Sequence, residues 1–356
     1  MTKGNLIKKL RLYLEEQSKI DNFSGTVLVA KDGQPVLEYT SGFANKESHL
    51  VNKINTKFSL GSVNKIFTGV AIAQLVEKGL LKFDDIVGKY LPDYPNPTVK
   101  KQVTIHHLLT HTSGLGHYPK DWDKLKAFRE SLRSISDFVG LFKDKPLLFR
   151  PGAKYQYSAD GYELLGAIIE ATARQNYYDY VADNIFHKAG MPNTDFYEID
   201  RVNLNPNVAI GYKKTRDSFF SPSKAPPENN LAVNLIKGSA AGGGYSTVYD
   251  LFHFSQALLE HRLLSHEMTC LVTTPQVKIE TVETQTLYYG YGFQIVDFAG
   301  QYTRIGHGGA FAGVNARLDI YKEPVYTVIV LSNYDRPTAF RVAGKAEKLI
   351  TMNKML

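Results

Sequence analysis

The 356-residue chain has one cysteine, Cys270. That excludes an internal disulfide framework and any zinc site built on cysteines. With Met268, Leu271 and Val272 beside it, Cys270 reads as a buried thiol. No stretch is long and apolar enough to span a bilayer. The first thirty residues also lack the continuous apolar core of an export signal. The sequence therefore reads as a soluble protein, cytoplasmic as written and extracytoplasmic if a signal peptide was removed. Charge of one sign is scarce too: 42 Lys+Arg against 35 Asp+Glu leaves a net +7. The basic residues are scattered rather than gathered in a stripe, which argues against a nucleic-acid partner. Internal repeats and low-complexity tracts are missing.

What is present is a chain that is 43% hydrophobic, enough to bury a large core. Leu6, Ile7, Leu10 and Leu14 mark an amphipathic first helix that packs on the body. Two β-rich runs, 25–30 and 34–39, flank Lys31-Asp32-Gly33 and predict a hairpin. A helix from about Ser62 ends near Lys78-Gly79, with glycine where a left-handed residue is needed. Residues 80–245 read as mostly helical, joined by proline-bearing loops. Strand patterns return from Tyr288 at 291–298, 302–306, 313–321 and 326–332, and 339–352 reads as a closing helix. Strands at both ends with helices between predict an α/β (α+β) fold. Its antiparallel sheet is built from both chain ends and flanked by helices, with a mostly helical region inserted. On this reading residues 1–356 form one domain, the sheet-containing part being about 1–79 and 246–356 and the helical part about 80–245.

The predicted helix at Ser62 opens on Ser62-Val63-Asn64-Lys65. Residues three apart share a helix face, so the amine can take the proton of a hydroxyl that is otherwise a poor nucleophile. Ile66, Phe67, Val70, Ala71, Ile72, Ala73, Leu75 and Val76 make this helix apolar on nearly every side, hence central. Burial and the positive end of the helix dipole would both disfavour the ammonium. Bringing a lysine from about 10.4 to about 7 takes roughly 4–5 kcal/mol of such bias. The other reading of the same segment has Ser62 capping the helix and Lys65 reaching outward. A second tetrad, Ser221-Pro222-Ser223-Lys224, contains a proline and reads as a loop.

The wider pattern carries a resemblance. Phe58-Ser-Leu-Gly-Ser-Val-Asn-Lys65, Leu80-Leu-Lys-Phe-Asp-Asp85, Tyr90-Leu-Pro92 and Thr104-Ile-His-His-Leu-Leu-Thr-His-Thr-Ser-Gly-Leu115 occur in order. After them come Phe149-Arg-Pro-Gly152, Tyr155-Gln-Tyr-Ser158, the glycine-rich 240–246 with Asp250-Leu251, and Gly306-His-Gly-Gly309. From about residue 20 to 335 the chain thus resembles the class C β-lactamase and penicillin-binding-protein-like serine hydrolases. The resemblance implies the β-lactamase/transpeptidase-like fold, no cofactor, no metal, and a small-molecule or peptide substrate. It also implies Ser62 as nucleophile, Lys65 as its proton partner and Tyr157 as a second general base hydrogen-bonded to both. His307, Gly308 and Gly309 would lie on the strand edging the site. The backbone N–H groups of Ser62 and Ala310 would form an oxyanion hole.

Tyr94-Pro95-Asn96 fits the family's Tyr-x-Asn pattern better than Tyr157-Ser158-Ala159, but it sits in a proline-rich loop; Tyr157 precedes a strong helix and is preferred. Tyr157 also has a plain reading as a packing residue among 22 tyrosines. Alanine at 159 removes the amide that relatives use on amide side chains. Histidine at 307 replaces a permanent cation with a partly charged one. Both departures favour peptidases, amidases and esterases over β-lactamases. Arg304 and Arg317 lie near the His307 strand and could meet a carboxylate, but strand alternation alone does not decide which side they face. His106, His107 and His111 are spaced like zinc ligands, yet Leu108 stands where a zinc-protease helix needs glutamate, so structural roles are expected.

Overall fold

The run Gly25–Lys31 is buried almost throughout, which a strand achieves only when both faces of its sheet are covered. In the computed structural model, which describes residues 3–118, 122–200, 207–213, 227–322 and 325–351, this is strand β1. It pairs with β2 (Gln34–Ser41) through the turn at Asp32-Gly33. The other strands of its sheet are β3 (Val277–Val282), β4 (Gln285–Tyr289), β5 (Gln294–Phe298), β6 (Thr303–Phe311), β7 (Val314–Tyr321) and β8 (Tyr326–Ser332). Among the described residues these eight form one antiparallel sheet in the order β2-β1-β8-β7-β6-β5-β4-β3. Gly25 pairs with Ser332, so the two ends of the chain lie side by side.

The strands' two-residue period sorts their side chains onto opposite faces. Val27, Val29, Val328 and Val330 meet α1 (Lys3–Lys19) and the last helix. Leu28, Ile329, Leu331, Leu318 and Ile305 meet α2 (Lys65–Glu77). Every residue of α2 from Lys65 to Leu75 is buried, and Gly79 lies just past its end at φ +69°. Leu6, Leu10 and Leu14 of α1 are fully buried at four-residue spacing. Leu10→Ala should therefore cost about 2–5 kcal/mol in urea unfolding, with turnover per folded molecule unchanged. None of the described helices is long and apolar enough to cross a membrane.

Three helices complete the frame: α3 (Ala159–Ala173), α4 (Val248–Leu259) and α5 (Thr338–Thr351). Two expectations need correction. The main sheet resumes at Val277, ahead of Tyr288, because β3 and β4 form an edge hairpin. Its outer strand alternates between half-buried and exposed positions and then stays exposed, so no buried side chains mark its period. Cys270 is exposed rather than buried: the short helix His266–Val272 turns Thr269 and Val272 inward. Ser221 to Lys224 lie outside the described residues.

Candidate active site

Ser62 sits in a short 3₁₀ turn, Gly61–Asn64, that runs directly into α2. Neither the turn nor the helix takes a side-chain cap at its N-terminus, and Lys65 is 1% exposed. The reading of a capping serine with an outward lysine is thereby set aside. Lys65 Nζ lies 3.4 Å from Ser62 Oγ and 2.5 Å from the Ala241 carbonyl. Burial brings the amine down to about 7, with nearby Glu163 pulling the other way.

Tyr157 is held in place through its neighbour Ser158 and the ring of His111. Ser158 Oγ accepts the Gly161 N–H and caps α3, and the Ser158 N–H donates to His111 Nδ1 at 3.1 Å. The His111 ring packs 4.3 Å from Tyr157 and 4.4 Å from Tyr289. Tyr157 reaches the serine-lysine pair, with Lys65 Nζ 5.0 Å from its ring centre. Burial pushes the Tyr157 phenol up, and the Ser62 hydroxyl beside it offsets part of that rise. Tyr94, the rival, is buried in the hydrophobic core.

The glycine-rich segment forms the opposite wall. Three consecutive carbonyls are held from the nucleophile's side: Ser239 O by Asn64 Nδ2 at 3.0 Å, Ala240 O by Thr68 Oγ1 at 2.7 Å, and Ala241 O by Lys65. Ala241, Gly242 and Gly243 then face a cavity of about 270 Å³ that also contacts Ser62 and Lys65.

Strand β6 closes the third side. A Cβ on Gly309 would lie 1.9 Å from the Leu60 carbonyl and 3.0 Å from the Ser62 nitrogen. Glycine there lets the strand touch the nucleophile's turn. His307 is 1% exposed. Its Nδ1 donates to the Gly308 carbonyl at 2.6 Å, so Nε2 accepts from the Tyr289 hydroxyl at 2.9 Å. Burial, aided by the charge of Lys65, pushes His307 down to about 3. The expectation of a partly charged histidine is corrected: His307 is neutral. The face of Arg304 and Arg317, left open by strand alternation, is the α5 side of the sheet. They pair with Asp319, Arg304 also pairs with Glu347, and Arg317 lies 5.0 Å from the Phe340 ring centre.

The cavity is lined by Leu125, Leu235, Phe311, Tyr118, Ala159 and Asn234 as well. Lys65 is the only lysine or arginine among its described lining residues. The histidine cluster takes structural parts: His107 completes a capping box with Thr104, and His106 bonds Tyr291 at 2.9 Å. Sequence reasoning missed Glu163, Tyr118 and Ser239. Glu163 was detectable as an acidic residue beside Leu164, Leu165, Ile168 and Ile169, the apolar face of a helix that points inward.

Four likenesses to known proteins bear on this site. The Beta-lactamase family model matches residues 13–351. Penicillin-binding protein 4* of Bacillus subtilis (strain 168) is 31% identical over 353 residues, covering 96% of this chain and 75% of that protein. The crystal structure of a penicillin-binding protein from Bacillus halodurans has a TM-score of 0.83 at 33% identity, covering 96% of this chain and 98% of the other. The octameric penicillin-binding protein homologue from Pyrococcus abyssi gives 0.79 at 27% identity, over 92% and 73% of the two chains.

Proposed function

The chain belongs to the Beta-lactamase family of β-lactamase-like serine hydrolases, and from that premise we propose an activity through an acyl-enzyme on Ser62. Its substrates are small amides, D-amino-acid-containing peptides or short-chain esters. The observation that carries this reading is a fully desolvated lysine 3.4 Å from a serine hydroxyl at the foot of a cavity. An amine brought to about 7 is substantially neutral near neutral pH and can accept a proton. Lys65 takes the Ser62 proton as Oγ attacks the carbonyl carbon. The N–H groups of Ser62 and Ala310 receive the oxyanion, a donor pair whose members are each worth about 3–4 kcal/mol. Tyr157, with its phenol held protonated, suits proton return to the leaving amine or alcohol better than resting base duty. Water then releases the acyl group by the reverse proton path.

Substrate class is read from the walls. Leu125, Leu235 and Phe311 favour an apolar acyl group. No arginine among the described lining residues is free for a carboxylate, and Ala159 offers no amide. Neutral amides and esters therefore fit better than β-lactams or peptides with a free terminal carboxylate.

Turnover of 4-nitrophenyl acetate and a D-alanine 4-nitroanilide, set beside nitrocefin, tests this reading. The expected order puts ester or anilide ahead of nitrocefin, with Ser62→Ala reducing all of them about a thousandfold or more. Nitrocefin as the best substrate would instead indicate a class C-like β-lactamase. A folded protein that turns over none of them would indicate a binding or scaffold role.

A further inference from the structure

Glu163 on α3 is fully buried and takes no part in the proton transfers between Ser62, Lys65 and Tyr157. Its Oε1 accepts the Tyr118 hydroxyl at 3.1 Å and the Ser239 hydroxyl at 2.5 Å. Its Oε2 is buried with no hydrogen-bond partner. A half-satisfied carboxyl is costly to bury unless another charge compensates it. Lys65 is the cation that Glu163 interacts with electrostatically. The two are also joined mechanically. Ser239, which donates to Glu163, begins the run of held carbonyls whose third member, Ala241 O, receives Lys65 Nζ.

We propose that Glu163 is the counter-charge of Lys65, a positioning residue that faces the ammonium formed during acylation and, through Ser239, fixes the carbonyl that aims it. The proposal rests on the acyl-enzyme reading. As Ser62 Oγ bonds to the substrate carbonyl carbon, its proton moves to Lys65 Nζ and creates an ammonium that the Glu163 carboxylate favours electrostatically. When the C–N or C–O bond breaks, the Tyr157 phenol protonates the departing amine or alcohol and takes the Lys65 proton in its place. Glu163 stabilises the charge without taking the proton.

The remaining groups facing Glu163 leave this role to it. Tyr118, and Tyr177 and Tyr178 from the helix Tyr177–Val181, are all pushed up by burial and stay neutral. Asp160 on the same helix as Glu163 is raised to about 6 by burial and accepts the Tyr118 N–H at 2.7 Å. Burial brings Glu163 up to about 7, into the range where Lys65 titrates. Near neutrality, amine plus carboxylic acid and ammonium plus carboxylate are thus close in energy, and the two groups titrate as a pair.

Glu163→Gln keeps the volume and an acceptor for Tyr118 and Ser239 but removes the charge. Without the carboxylate the ammonium is less favoured, so the acid limb of kcat/KM for 4-nitrophenyl acetate should move down by about one pH unit. The limiting kcat should fall about tenfold with KM little changed. Glu163→Asp restores the charge and should return the limb to its wild-type position. An unmoved limb in Glu163→Gln overturns the proposal. So does Glu163→Asp behaving like Glu163→Gln, which would mark a packing defect. If Glu163→Gln does not fold, infrared spectra of the wild type decide. A carboxyl C=O band that titrates with kcat/KM and is shifted by Ser239→Ala supports the proposal, and its absence refutes it. Ser62→Ala separates the two ideas: a wild type no more active than Ser62→Ala sinks both, whereas an active wild type with an unmoved limb sinks only the role of Glu163.

Discussion

Lys65→Met is expected to lower ester turnover about a thousandfold or more while making the protein more stable at pH 7. The loss comes from removing the group that accepts the Ser62 proton. The gain comes from linkage. Lys65 sits at about 7 in the folded protein against an ordinary value of 10.5, so the folded state binds fewer protons than the unfolded chain between those values. Stability is therefore fully present above the unfolded value and is lost as pH falls toward 7. By pH 7 that loss amounts to about 4 kcal/mol for this fully buried amine. Methionine fills a similar volume without the cost, and Glu163, raised to about 7 even beside the lysine, stays protonated once that cation is gone; but methionine orphans the Ala241 carbonyl, a penalty of about 1–3 kcal/mol. The balance favours the variant by about 1–3 kcal/mol. Thermal unfolding at several pH values checks it: the advantage should shrink as pH rises toward about 10. A Lys65→Met protein no more stable than wild type at any pH would mean that the lysine is not desolvated.

Gly309→Ala should be the most damaging single methyl group near the site. The added carbon would meet the Leu60 carbonyl at 1.9 Å and the Ser62 nitrogen at 3.0 Å. Both contacts are backbone, so no side chain can swing away. The strand and the nucleophile's turn must separate, and the Ser62 and Ala310 N–H groups then no longer converge. Loss of one oxyanion donor alone costs about a hundredfold or more in kcat, and the forced shift should cost about 1–3 kcal/mol of stability. Steady-state kinetics beside a urea melt separates the two effects. Full activity in the alanine variant would show that this contact does not set the oxyanion geometry.

How far the fold was legible depended on whether a residue's environment left a period in the sequence. β1 and β8 are buried on both faces and read as apolar, β-branched-rich runs, whereas β7 is just as buried with Asn315, Arg317 and Asp319 among its residues. The hairpin of β3 and β4 is an edge with Lys278, Glu280, Thr281 and Glu283 in or beside it, so it carried no such mark. Ser62 and Lys65 were legible because an apolar helix around a lysine is a conflict that burial alone resolves. Tyr157 was legible from its position before α3, although the contact with His111 was not, since His111 reaches it from a distant loop. His307 illustrates the limit. Its neighbours in sequence are small and flexible, and only the Tyr289 hydroxyl brought across the sheet reveals that it is a neutral, fully bonded imidazole. The burial of Glu163 was legible from the apolar face of α3, but its hydrogen bonds were hidden for the same reason as those of His307: both of its partners, Tyr118 and Ser239, come from outside its helix.

The nucleophile can be looked for directly by treating the folded protein with a fluorophosphonate, which phosphonylates an activated serine, and locating the adduct by peptide mass mapping, with Ser62→Ala as control. The expected result is a single adduct on the peptide containing Ser62, absent from Ser62→Ala and formed faster as pH rises through about 7, where Lys65 loses its proton. An adduct at another serine, such as Ser221 of the second tetrad, or no adduct at any pH, would contradict it.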